Sequence, residues 1–136
     1  LCFEIEESDA HSYSEDAIIF IEAIRKIGCL VTLCGFGQSA VSMDLLKEMK
    51  FDHLKIDGSI VCNMLHDDED MARIKGINQI ARRLSVKTIA ELVETRETLA
   101  KLNEIGIHYA QGFGIARPCP LDEIEVVTVR SGTESA

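Results

Sequence analysis

Five short apolar runs in this chain are each followed by a stretch of helical periodicity, and that alternation limits the fold more than any other feature. Leu1–Ile5, Cys29–Leu33, His53–Asp57, Val86–Ala90 and Ile107–Gly112 read as strands. Between them Ala17, Phe20, Ile21, Ile24 and Ile27 recur at helical spacing, as do Val41, Leu45, Leu46 and Met49. Met71, Ile74, Ile77, Ala81 and Leu84 mark a third helix, and Leu99, Leu102 and Ile105 a fourth. Strands that alternate with helices in this way form a parallel sheet, because each crossover helix returns the chain to the same end. The expected class is α/β, built of parallel βα repeats, in a barrel or an open sheet.

The punctuation agrees with that reading. Ser12-Tyr-Ser-Glu15 has the spacing of a capping box, and Gly28 and Gly106 stand where helices should stop. Asp67-Asp-Glu-Asp70 places anions at the start of the third helix, where the helix dipole favours them. Pro118 and Pro120 close the regular part, and Ser131–Ala136 reads as a loose polar tail. Residues 1–122 are expected to form about five βα units and residues 123–136 a terminal segment. A sheet of five strands would carry two unpaired edges, which leads to an expectation of a homodimer or of contact with other domains.

Parallel strands bring all their carboxyl ends to one side, and in sheets and barrels alike ligands bind there. The stretch Thr88–Glu94 shows the change most clearly: an apolar strand gives way to Glu91 and Glu94, three residues apart. Glu4, Lys55, Asp57 and Gln111 also stand at or near strand ends, and Lys55 and Asp57 share one face. Plainer readings exist for the charged ones. Glu91 and Glu94 also read as solvated carboxylates, Lys55 and Asp57 as an ion pair, and Glu4 with Glu6 and Glu7 as an acidic strand end.

Charge and cysteine usage narrow the partners. With 14 basic against 23 acidic side chains the net charge is −9, which argues against duplex nucleic acid and anionic membrane surfaces. No apolar run is long enough to span a bilayer. The five scattered cysteines contain no C-x-x-C pair and read as reduced thiols in a cytoplasmic chain. His11, His53, His66 and His108 share no metal-ligand spacing. The loop Gly35–Ser39 lacks the lysine and the spacing of a P-loop.

Phe3-Glu-Ile-Glu-Glu-Ser8, Gly35-Phe-Gly37, Leu54-Lys-Ile-Asp57, Ala90-Glu-Leu-Val-Glu-Thr95 and Ala110-Gln-Gly-Phe113 occur in an order and spacing that resemble EAL domains. These are bacterial cyclic di-GMP phosphodiesterases with a modified TIM barrel. The resemblance covers about residues 1–122, the carboxyl-terminal portion of such a domain. It implies a cyclic di-GMP ligand and Mg²⁺ or Mn²⁺ as cofactor, with Glu4 and Asp57 at metal-ligand positions. It implies Lys55 near the metals and the reacting phosphate, Glu91 as general base and Glu94 as a supporting carboxylate. Gln111 would line the site, and Phe113–Pro118 would border a guanine base.

This chain also departs from the family pattern. Where the family carries an Asp-Asp pair opening Asp-Phe-Gly-Thr-Gly, Cys34 and Gly35 stand here. Leu92 replaces the glycine between the two carboxylates of Glu-Gly-Val-Glu, and Gly58 stands where arginine is common. Ala90-Glu91-Leu92 is not the motif that names the family, which lies on earlier strands. With the two aspartates missing, the expectation is a degenerate domain of cyclic di-GMP signalling that senses the nucleotide without hydrolysing it. The alternatives are a metal-dependent phosphodiesterase when the full domain is present, and an interaction or dimerisation module without nucleotide binding.

Overall fold

A computed structural model describes residues 1–38 and 43–124. Val41 and the tail Ser131–Ala136, both named above, lie outside the described residues. Five strands form one sheet in the order β1 (Cys2–Glu6), β2 (Leu30–Phe36), β3 (His53–Ile56), β4 (Lys87–Ala90) and β5 (Tyr109–Ala110). Every neighbouring pair is parallel, so the expected parallel α/β architecture is the one observed. β1 and β5 are the sheet edges, with no further strand beside them among the described residues.

The helices are α1 (Glu7–Ser12), α2 (Ser14–Lys26), α3 (Met43–Met49), α4 (Gly58–Asn63), α5 (Asp68–Leu84) and α6 (Arg96–Ile105). One face of the sheet packs on them. Leu54 and Ile56 of β3 are fully buried, as are Val31 and Leu33 of β2, against Ile21, Met49, Ile60, Ile74 and Leu102. Burial of each such aliphatic side chain contributes about 1.5–3 kcal/mol, which holds the crossover helices in place. Among the described residues no helix is long and apolar enough to cross a membrane.

Several helix ends follow the sequence directly. Asp67 caps α5, its carboxylate accepting from the Glu69 and Asp70 amides. Thr95 caps α6 through the Thr98 amide, and Gly106, left-handed at φ +89°, ends it. The amide of Ile107 then bonds the Leu102 carbonyl, and the backbone N–H and ring of His108 bond Thr88. Those contacts consume the first residues of the predicted fifth strand, which shrinks to Tyr109–Ala110.

Other expectations are corrected. Ser12 does not form a capping box with Glu15: it is the last residue of α1, and α2 starts after Tyr13 with no side-chain cap. The short helix α1 was not expected at all. Phe20 and Ile27 share the helical spacing of Ile21 and Ile24, yet Phe20 is half-exposed beside Phe3 and Ile27 is exposed. Phe20 lies beside Phe3 of the edge strand β1, next to which no further strand stands among the described residues. In α5 the buried stripe includes Asn78, whose amide donates to the Ile105 carbonyl at 2.9 Å and ties α5 to the end of α6.

Candidate functional site

Strand alternation decides which side chains leave the core. On β1, Phe3 and Ile5 face the helices and Glu4 and Glu6 face the opposite, concave side. The same alternation puts Cys34 of β2 and Lys55 of β3 on the concave face beside Glu4. Lys55 is only 4% exposed, and its ammonium is ion-paired with the Glu4 carboxylate. That hydrogen bond is the main cause holding the Glu4 carboxyl below its ordinary range, with a smaller contribution from the Cys34 thiol. Burial pushes Cys34 up to about 12, so it remains a protonated thiol rather than a thiolate ligand. The alternative pairing of Lys55 with Asp57 is not formed, because the lysine reaches across β2 to β1 instead.

Asp57 follows β3 directly and caps α4. Its Oδ1 accepts from the Ser59 amide at 2.9 Å, the Ser59 hydroxyl at 2.5 Å and the Gln38 side-chain amide at 2.9 Å. Burial raises its pKa, but the hydrogen bonds from Ser59 and Gln38 outweigh that, so the carboxyl lies below its ordinary value. Gln38 also donates to the Ser59 hydroxyl at 2.7 Å and so fastens the loop after β2 to the start of α4. Sequence reasoning placed that loop at the site but assigned Gln38 nothing. A lone glutamine carries no spacing signal that would have singled it out.

Glu91 leaves the end of β4 and turns toward α4, where its Oε1 accepts from the Gly58 amide at 2.9 Å. Gln111 leaves β5 alongside it, held by backbone bonds to Ala90 and Val93 at 2.9 and 3.0 Å. The segment after Gln111 folds back over Val93 and Glu94. Gly112 and Gly114 permit this, since a β-carbon on either would collide with the Val93 or Glu94 backbone. The result is a cleft of about 480 Å³ lined by Glu91, Glu94 and Gln111, with Leu92, Phe113, Arg117 and Pro118 completing its walls. The Arg117 guanidinium lies 5.5 Å from the Phe113 ring centre, a cation–π contact.

The six predicted residues thus fall into two groups. Glu91, Glu94 and Gln111 share the cleft. Glu4 and Lys55 form an ion pair between β1 and β3, and Asp57, two residues after Lys55, precedes Gly58, whose amide holds Glu91. Among the described residues no three His, Cys, Asp or Glu side chains stand close enough to hold one metal ion. Chemically, the cleft offers carboxylates and an amide as hydrogen-bond partners beside an aromatic wall and one guanidinium.

Comparison with known proteins gives a consistent result. The chain is 38% identical over 121 residues to cyclic di-GMP phosphodiesterase PdeB of Shewanella oneidensis, covering 89% of this chain and 14% of that protein. It is 34% identical over 118 residues to probable cyclic di-GMP phosphodiesterase PdeA of Escherichia coli, covering 87% of this chain and 16% of that one. The solved PaMucR phosphodiesterase–c-di-GMP complex superposes with a TM-score of 0.85 at 30% identity, over 90% of this chain and 49% of that one. The FimX EAL domain of Pseudomonas aeruginosa bound to c-di-GMP gives 0.80 at 30% identity, over 87% and 48%. The chain therefore spans under a fifth of these curated relatives and about half of the solved chains. Since the EAL domain profile matches residues 1–118, nearly all of the regular structure, this chain belongs to the EAL domain family.

Proposed function

We propose that this chain is a non-hydrolysing member of its family: it binds cyclic di-GMP in the cleft at the strand ends and serves regulation rather than turnover. One observation carries the reading. The end of β2, where the resemblance calls for two aspartates, holds Cys34 and Gly35, and the neighbouring Glu4 carboxylate is taken by Lys55. Hard divalent ions need several free oxygen ligands. A protonated thiol, an ion-paired glutamate and an Asp57 carboxylate already accepting from Ser59 and Gln38 do not fit a pair of such ions. No step through a metal is therefore assigned to this chain.

Binding is supported separately from catalysis. Two solved relatives hold c-di-GMP and overlay this chain closely. The cleft keeps an aromatic wall at Phe113 for a planar base, and Glu91, Glu94 and Gln111 to pair with its N–H edge. Incubation with cyclic di-GMP and Mn²⁺ tests the loss of hydrolysis: the dinucleotide should be recovered intact, and robust formation of the linear product would refute the proposal. Titration calorimetry tests the binding: saturable heat is expected, whereas none would leave an interaction module.

One observation favours a second reading, a phosphodiesterase that works only within a longer chain. Glu91, Glu94 and Gln111 remain assembled although the chain spans half of its solved relatives. Turnover by a longer parent protein, absent from this chain, would select it.

A further inference from the structure

We infer that Leu92 and Gly58 are an interlocked pair, and that Leu92, seated in the notch above Gly58, makes the cleft select the ring of its ligand over the phosphates. The choice of ligand rests on the reading above; the interlock does not. Leu92 has φ +53°, a left-handed conformation that L-residues other than Asn and Asp adopt at a cost. Burial does not account for it, since Leu92 is 52% exposed. What the conformation achieves is placement. A β-carbon on Gly58 would stand 2.7 Å from Leu92 Cγ and nearer still to Cδ1, so the leucine occupies the space a side chain at 58 would need.

Gly58 is otherwise not required to be glycine. It is the first residue of α4, and its φ is not in the left-handed range. Two consecutive residues use its missing side chain. Leu92 fills the notch, and Glu91, whose Cγ would lie 3.3 Å from the same β-carbon, reaches past it to the Gly58 amide. The pair therefore fixes both the Glu91 carboxylate and the wall beside it.

The consequence for recognition follows from charge. The cleft carries the carboxylates of Glu91 and Glu94 against one guanidinium, that of Arg117, which is already stacked on Phe113. With two anions against one cation, phosphates entering such a cleft meet more repulsion than attraction, and the notch is closed to any cation from position 58. A planar base gains instead, lying between Leu92 and Phe113, which both line the cleft, with its N–H groups toward the acids.

Four proteins test this: the native chain, Gly58→Ala, Leu92→Gly and the double variant, each followed by thermal unfolding and by calorimetry with cyclic di-GMP and with guanosine. Gly58→Ala should lower Tm by about 3 °C or more in the native background, because Leu92 must leave its notch. In the Leu92→Gly background the same change should raise Tm slightly, since alanine suits a helix start better than glycine. Equal shifts in both backgrounds would overturn the interlock. Guanosine should bind the native chain within about tenfold of cyclic di-GMP, and Leu92→Gly should weaken both by about fivefold. A preference for the dinucleotide of about a hundredfold or more, or ligand affinities indifferent to Leu92→Gly, would overturn the selectivity. If neither ligand binds, the nucleotide reading and the selectivity both fall, while the Tm comparison still decides the interlock.

Discussion

Replacing Glu4 by Gln should destabilise the chain although Glu4 is a half-exposed residue at a sheet edge. The reason is its partner. The Lys55 side chain is 5% exposed against 56% for Glu4, and Glu4 is its only acidic partner among the described residues. Removing one member of a fully buried pair costs about 3–5 kcal/mol, because the other charge is left uncompensated. An exposed pair contributes only about 0–1 kcal/mol. With one partner buried and the other screened by water, the expected cost of Glu4→Gln is about 1–2 kcal/mol. For a chain of this size that is a fall in Tm of about 3–6 °C. Lys55→Met should cost less, since it removes the buried charge together with the need for a partner.

The pH dependence fixes the cause. Lys55 holds the Glu4 carboxyl below its ordinary value of 4.5, so the native state binds that proton less readily than the unfolded chain. The stabilisation is complete above that ordinary value and is lost as pH falls through the depressed one. Urea unfolding of the native and Glu4→Gln chains should therefore show a gap at neutral pH that narrows on acidification. A Glu4→Gln protein as stable as the native one at neutral pH, or a gap undiminished at about pH 3, would show that the pair is not what compensates Lys55.

The remaining predictions concern the site. The double variant Cys34→Asp, Gly35→Asp should bind Mn²⁺ at least about tenfold more tightly than the native chain by calorimetry, because it restores free carboxylates beside Glu4. Gly35 is left-handed at φ +68°, which Asp tolerates, though its β-carbon would lie 3.0 Å from Glu6 Oε2 and displace that side chain. Unchanged affinity would mean that the missing donors are not the deficit. Gly112→Ala would put a β-carbon 2.8 Å from the Val93 carbonyl carbon, so the segment over the cleft should detach and become sensitive to limited proteolysis. Leu54→Ala, at a fully buried position, should cost about 2–5 kcal/mol in urea unfolding.

The strand-and-helix alternation was legible because its signals are local. Aliphatic spacing marked α5 and α6, and Asp67, Thr95 and Gly106 make or end helices through contacts within a few residues. The convergence of strand ends was legible too, since parallel order alone brings Glu91 and Gln111 to one side. What the sequence did not disclose depends on neighbours. Phe20 and Ile27 have helical spacing, yet whether a hydrophobic face is covered depends on where the sheet ends. Lys55 pairs with Glu4 rather than Asp57 because it reaches across β2 to β1 on their common face, while Asp57 is drawn into capping α4. Gly35 marks a register shift between β2 and β3 that no periodicity announces. Leu92 and Gly58 look like separate departures from a motif until both are found competing for one notch.

The account stands on where the ligand sits, and a crystal structure of the chain soaked with cyclic di-GMP and Mg²⁺ measures that. The predicted result is intact dinucleotide with a base against Phe113 and Leu92, within hydrogen-bond reach of Gln111 and Glu94, and the Lys55–Glu4 pair undisturbed. Dinucleotide bound elsewhere on the chain, or a pair of metal ions seated between Glu4 and Asp57 with Lys55 displaced, would contradict it.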